Sequence, residues 1–371
     1  MLPAPDPTLA LLLATLRWPD DDVRRSVIAS RASAGIDWAR FRALADRHRV
    51  APLALQGLAA AKVDLPPSLS DRLEQAHQAA LFAEMAKVHE LDRLRRQLGP
   101  GLEPIVLKGP VTSLRAFGQL GMRTYRDLDL LVREEQVEEI LSVLHDAGYE
   151  LVEPLLDMPD DWSGWRKHHK DMVLQHEHTQ SLVEVHWRLF DNRSLMPRSA
   201  LAEPRPLGQP PLEAALVLPI GTDLRYHCVH GALHGWSRLR WLADVNAMLA
   251  AAPELALEID PIEPAIAQTL ILCRDLLGAV WPRELDAALS TSKRGRALAR
   301  LAWSEILRSG IRELEDVRFG STVKNLSHYA FMKDRSCLME ELRFDMTAEP
   351  RVQPGKVRRK GRIRDWLVRH L

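Results

Sequence analysis

Apolar residues recur at three- and four-residue spacings through most of residues 7–98. The pattern is plainest in WARFRALADRHRVAPLALQGLAAA and SLSDRLEQAHQAALFAEMAKVHELDRLRRQL, and it is the period of helices that bury one face. Ser70 stands where the second of these helices needs an N-cap. LGPGLEP then punctuates the chain with two glycines and two prolines, and after it the period changes. IVLKG (105–109) is a short apolar run ending in glycine, and VTSLRAF reads as a helix behind it. DLDLLV (127–132) alternates with period two, and REEQVEEILSVLHDAGY is an amphipathic helix closed by Gly148. DMVLQHEH and SLVEVHWRLF read as two strands joined by a polar turn at Thr179–Gln180. From about residue 211 helical spacing returns, beginning with PLEAALVLP and continuing through LRYHCVHGALHGWSRLRWLADVNAMLAA, AIAQTLILCRDLLGAV and RALARLAWSEILRSG. The expected fold is therefore α+β: a small mixed-sheet core at 101–195 between helical regions at 1–100 and 196–350, with a short tail at 351–371.

Composition sharpens this picture only in places. At 371 residues the chain suggests two or three domains, and no apolar run approaches the roughly 20 residues of a membrane span. No basic residue precedes the short apolar segment near the N-terminus, so the charge pattern of a secretory signal is missing. Cys228, Cys273 and Cys337 show neither pairing nor metal-type spacing, which fits a reducing cytoplasm. Fifty basic residues balance fifty acidic ones, which argues against a protein that coats nucleic acid. The local exception is 351–371, with eight Arg or Lys against one Asp. It reads either as a solvated end or as a polyanion contact with nucleic acid, an anionic membrane surface or an acidic partner.

The chemistry concentrates in the strand pattern. Residues two apart in a strand face one side, roughly 6.6 Å apart along the chain, so Asp127 and Asp129 point together while Leu128, Leu130 and Val132 face the core. Two carboxylates approaching 4 Å repel by about 4 kcal/mol at an effective dielectric near 20. Such a pair calls for a proton, a cationic side chain or a divalent ion, and hard oxygen ligands suit Mg²⁺ or Mn²⁺. The same alternation puts Glu184 and His186 on one face of the later strand. If that strand lies beside 127–132, Glu184 completes a three-carboxylate cluster. Upstream, Gly109 at a strand-to-helix turn permits close approach of a phosphate. Lys108 and Arg123 are candidate phosphate contacts, and Lys167 and Lys170 are less specific ones. His227, His230 and His234 share a helix face, but three histidines on one helix do not easily converge on one ion. Packing or substrate contact is the expectation there.

Taken in order, Leu107-Lys108-Gly109, Arg123, Asp127-Leu128-Asp129-Leu130-Leu131-Val132 and Val183-Glu184-Val185-His186-Trp187 resemble the nucleotidyltransferase (DNA polymerase β-like) superfamily. More narrowly, the chain is similar to an uncharacterised bacterial nucleotidyltransferase family with the signature LKG…R…DxDLLV…ExHW. The resemblance implies that Asp127, Asp129 and Glu184 are catalytic metal ligands for Mg²⁺ or Mn²⁺. It also implies that Lys108, Gly109, Arg123 and His186 contact the nucleotide, with Gly109 where the superfamily's Gly-Ser turn meets the triphosphate. The implied reaction moves a nucleoside monophosphate from an NTP to a hydroxyl-type acceptor (small molecule, peptide or protein) and releases pyrophosphate. Pro110 replaces the usual serine, seventeen residues separate Gly109 from Asp127, and Arg126 precedes the first aspartate. A catalytically silent binding protein of the same fold, and an RNA- or tRNA-modifying toxin-like transferase, stay open beside this expectation.

Overall fold

The computed structural model describes residues 2–153, 162–197, 203–255, 260, 262–313, 316 and 320–347. The basic segment 351–371, and with it the expected polyanion contact, lies outside the described residues. In chain order the elements are α1 (Pro7–Thr15), α2 (Asp22–Ala32), α3 (Trp38–His48), α4 (Ala51–Ala60), α5 (Pro67–Leu98), β1 (Ile105–Val106), α6 (Pro110–Phe117), β2 (Asp127–Leu131), α7 (Val137–Asp146), β3 (Tyr149–Glu153), α8 (Trp162–His168), β4 (Asp171–His176), β5 (Leu182–His186), β6 (Arg205–Pro206) and β7 (Leu216–Val217). Helices follow: α9 (Ile220–Leu233), α10 (Leu239–Ala251), α11 (Pro264–Leu277), α12 (Arg283–Thr291), α13 (Lys293–Ser309), α14 (Gly320–Phe331) and α15 (Arg335–Thr347). These divide into two compact units, one of Met1–Met85, Thr112–Thr124 and Leu224–Phe331, the other of Ala86–Val111, Tyr125–Asp223 and Met332–Leu371. No helix among the described residues is long and apolar enough to cross a membrane.

The first unit is helical, and α1, α2 and α3 start where a side chain satisfies a leading N–H group. Asp6, Asp21 and Asp37 each accept from the N–H three residues on, at 3.0, 2.7 and 2.9 Å, caps worth about 1 kcal/mol apiece. The long helix α5 starts differently from expectation. Pro67 opens it, because a proline at the first helical position gives up an N–H that has no partner there anyway. Ser70 therefore lies inside the first turn, and its hydroxyl donates to Glu74 at 3.2 Å. The stretch read as one helix around residue 235 breaks into α9 and α10 at Gly235 and Trp236, both at positive φ. Trp236 folds back onto Gly231, where a Cβ would come within 2.4 Å of the indole. Only glycine leaves that space.

The second unit is built on a mixed sheet of order β3-β4-β5-β2-β1-β7-β6. β2 pairs antiparallel with β1 and parallel with β5, while β4 pairs antiparallel with both β3 and β5. Leu128, Leu130, Met172, Leu174, Val183 and Val185 are buried on one face. Each such side chain contributes roughly 1.5–3 kcal/mol. A one-residue slip of β2 would exchange those leucines for Asp127 and Asp129, so the apolar face fixes the register and with it the position of every acid on the other face. Two readings of the sequence are corrected here. PLEAALVLP does not begin a helix at its apolar centre, since Leu216 and Val217 form β7 against β1. Tyr149, read as the end of the preceding helix, instead opens β3, which forms one edge of the sheet. Short apolar runs are ambiguous by period alone, and an open strand edge decides them.

Candidate active site

The polar face of the sheet carries the site. Parallel pairing sets Asp129 directly beside Glu184, and Leu131 beside His186. Antiparallel pairing sets Asp171 of β4 beside His186 and Val173 beside Glu184. Paired residues share a face, so Asp129, Glu184, His186 and Asp171 form one band across three neighbouring strands. Backbone hydrogen bonds past the strand ends bring in the lysines. The Leu107 N–H donates to the Asp129 carbonyl at 3.0 Å, and the Trp187 N–H to the Lys170 carbonyl at 3.0 Å. These bonds hold Lys108 and Lys170 at opposite sides of the band.

Asp129, Glu184 and His186 each offer one ligand atom, all within 4.8 Å of one another. His186 Nε2 lies 3.2 Å from Asp129 Oδ1 and 3.3 Å from Glu184 Oε2. Two ligands at adjacent corners of an octahedron with bonds near 2.1 Å sit roughly 3 Å apart. The donor set therefore fits a divalent ion. The side chains of Asp129 and His186 are 2% and 0% exposed, whereas Glu184 keeps 22%, which makes Glu184 the member that reaches solvent.

Cations already occupy parts of this arrangement. The Lys108 ammonium donates to Asp129 Oδ1 at 2.8 Å. Burial alone pushes the Asp129 carboxyl pKa up, but Lys108 and His186 overcome it and hold it well below the usual carboxylate range. Burial, then the charge on Asp129, raises Glu184. Burial and Lys170 oppose charge on His186, yet its hydrogen bonds to Asp129 and Glu184 win and raise its pKa. On the far side of the ring, Nδ1 lies 3.3 Å from Lys170 Nζ and 3.9 Å from Asp171 Oδ2. Lys170 and Asp171 are themselves ion-paired.

Asp127 is half-buried and stands apart from the three-residue cluster. Its charge acts, with that of Glu90, on Lys87 of α5, which donates to Ser181 Oγ at 2.8 Å and to the Leu182 carbonyl at 3.3 Å. Arg126 is exposed and pairs with neither aspartate. Gly109 does sit at a strand-to-helix turn, with φ +74°, and a Cβ there would come within 3.1 Å of the Tyr125 ring. Pro110 is the first residue of α6, a position where a missing N–H costs little. Arg123 belongs to the other unit, where its guanidinium forks onto Asp244 at 2.9 and 3.0 Å. In that same unit His227 meets Thr112 at 3.3 Å, His234 stacks on Trp241, and His230 lies tilted to His234 and edge-on to Trp241. That is a packing arrangement.

Sequence reasoning did not find Lys87 or Asp171. Nothing local marks Lys87 among the polar positions of a helix. Asp171 had only a partial signal: counting back along a hairpin from Thr179–Gln180 places Val173 opposite His186 and Asp171 on the same face, whereas the pairing found sets Asp171 itself there.

A model of the family described as "Uncharacterised nucleotidyltransferase" matches residues 34–278, about two thirds of the chain. No curated protein and no solved structure matches it.

Proposed function

The chain belongs to the uncharacterised nucleotidyltransferase family, and we propose that its polar sheet face transfers a nucleoside monophosphate from an NTP to a hydroxyl-type acceptor. The observation that supports this most is the parallel β2–β5 register, which lines up Asp129 with Glu184 and leaves His186 between two carboxylates. Asp127, Asp129 and Glu184 would hold Mg²⁺ or Mn²⁺, an ion that when bound neutralises phosphate charge and activates an attacking hydroxyl. The acceptor oxygen forms a bond to the α-phosphorus as the bond from that phosphorus to the bridging oxygen breaks, and pyrophosphate leaves. Glu184, the solvent-reaching carboxylate, takes the acceptor's proton on its carboxylate oxygen. Lys108 and the Gly109 turn face the triphosphate, with the leading amides of α6 behind them favouring negative charge. The balanced overall charge favours a small-molecule, peptide or protein acceptor over RNA. Segment 351–371 would supply any polyanion contact. Three buried free cysteines accord with a cytoplasmic setting.

One observation favours a second reading, a nucleotide-binding protein without turnover: the Lys108 ammonium already satisfies Asp129. A single experiment separates the two. The purified protein is incubated with each α-labelled NTP and Mg²⁺ or Mn²⁺, with and without cell extract. Label transfer with pyrophosphate release is expected, falling to background in Asp129→Asn. NTP binding with neither product for any nucleotide would leave the silent protein.

A further inference from the structure

We propose that His186 is itself a metal ligand through Nε2, so that Asp129, Glu184 and His186 form a mixed oxygen–nitrogen centre that prefers Mn²⁺ or a later transition ion to Mg²⁺. The inference rests on the metal reading above and puts His186 in the place of Asp127 beside Asp129 and Glu184. The geometry carries it. Nε2 is the atom of the ring that faces both carboxylates, at 3.2 and 3.3 Å, and it belongs to the three atoms gathered within 4.8 Å. Asp127 is not within that span and stays available to an ion that arrives with the nucleotide.

A carboxylate stands behind the ring, where a ligating histidine needs one. Such an imidazole ordinarily turns its other nitrogen to a carboxylate or similar group that fixes the ring's orientation. Here Nδ1 has the Lys170 ammonium at 3.3 Å and Asp171 Oδ2, on a side chain 2% exposed, at 3.9 Å. Lys170 can only donate and is already paired with Asp171, so an Nε2-bound ion requires it to turn wholly to Asp171 while Nδ1 carries its proton toward that carboxylate. The fully buried ring is thus gripped from behind while its ligand atom points at two acids. Asp171 is a positioning residue in this scheme. The donor set then decides the ion. Mg²⁺ binds few protein groups, all of them oxygens, and keeps several waters. An imidazole nitrogen adds affinity along the series from Mn²⁺ toward Cu²⁺.

Pulsed electron paramagnetic resonance of full-length protein loaded with Mn²⁺ alone, and with Mn²⁺ plus an α,β-nonhydrolysable ATP analogue, tests the assignment without any turnover. We expect nitrogen modulation of the Mn²⁺ signal that changes when the protein is grown with ¹⁵N-histidine, and Mg²⁺ competing at least tenfold more weakly than its concentration. His186→Gln should abolish the modulation. Asp171→Asn should keep it while weakening Mn²⁺ binding by roughly 10–100-fold, the usual effect of losing such a partner. The labelling measurement on the unaltered protein stands even if a variant fails to fold. Mn²⁺ bound without nitrogen modulation, at equal affinity in His186→Gln, would overturn the nitrogen ligand and leave the transferase reading standing. No Mn²⁺ binding in either condition would remove the metal reading and this inference with it.

Discussion

Lys108 holds one end of a buried carboxylate whose other neighbour is a histidine, and that makes its removal informative. Its side chain is 18% exposed, so losing it should cost less than the 3–5 kcal/mol of breaking a fully buried pair, about 1–3 kcal/mol. Lys108→Met should therefore melt below the unaltered protein without metal. It should also gain more from Mn²⁺, because the ion no longer competes with an ammonium for Asp129. Thermal melts of both proteins with and without Mn²⁺ check this; equal metal-free melting and equal shifts would mean that Lys108 does not neutralise Asp129 in solution. At this scale much of the candidate site's arrangement was legible. Period-two alternation gave the facing of Asp127, Asp129, Glu184 and His186, since a side chain's face in a strand follows from counting. The cations were not legible in the same way. Arg126, adjacent in sequence, pairs with neither aspartate, whereas Lys87 reaches the site from a helix whose pattern says only which face is polar. Arg123, four residues before the first aspartate, is engaged by Asp244, and no local rule links residues so far apart.

Helix ends show what a buried ring can do to an element. His48 closes α3, and its Nδ1 accepts the N–H of Leu239, the first residue of α10, at 3.4 Å. Burial, then Arg47 and Arg238, pushes its pKa down to about 3. The folded value lies below the unfolded value of about 6.5, so the imidazole is neutral in the fold and its contribution is complete above pH 6.5. That contribution is lost as the pH falls below 6.5 toward 3, and between pH 7 and 5.5 the loss is about 1 kcal/mol. His48→Asn keeps an acceptor without the titration, so its melting temperature should drop less than that of the unaltered protein between those pH values. Equal drops would place the acid sensitivity elsewhere. The elements themselves were readable where they were long or strictly alternating, as in α3, α5, α7, β2, β4 and β5. Of the two-residue strands, β1 was readable in its short apolar run and β7 was misread as helix. Their existence depends on a neighbouring edge, which is information held by another stretch of chain.

Over the whole molecule, distant segments must find one another, and buried charge pairs mark where. In the first unit, Arg123 and Asp244 are 3% and 0% exposed, and Glu84 accepts from Ser113 and from the Gly121 backbone. Arg123→Met should cost about 3–5 kcal/mol, as should Asp244→Leu, because each strands the other partner's charge; the double variant should recover part of the loss. A double-mutant cycle by chemical denaturation measures the coupling. Additive losses would refute it, and an Arg123→Met that melts normally but fails to bind NTP would return the arginine to the nucleotide. The sheet carries a different consequence. Asp129 and Glu184 are neighbours in space but fifty-five residues apart along the chain, and closing so long a loop is slow compared with forming a helix or hairpin. A growing polypeptide that ends before residue 182 contains both aspartates and none of the groups on β5. During synthesis the two acids must wait, side by side and without their third partner, until the β4–β5 hairpin emerges and docks.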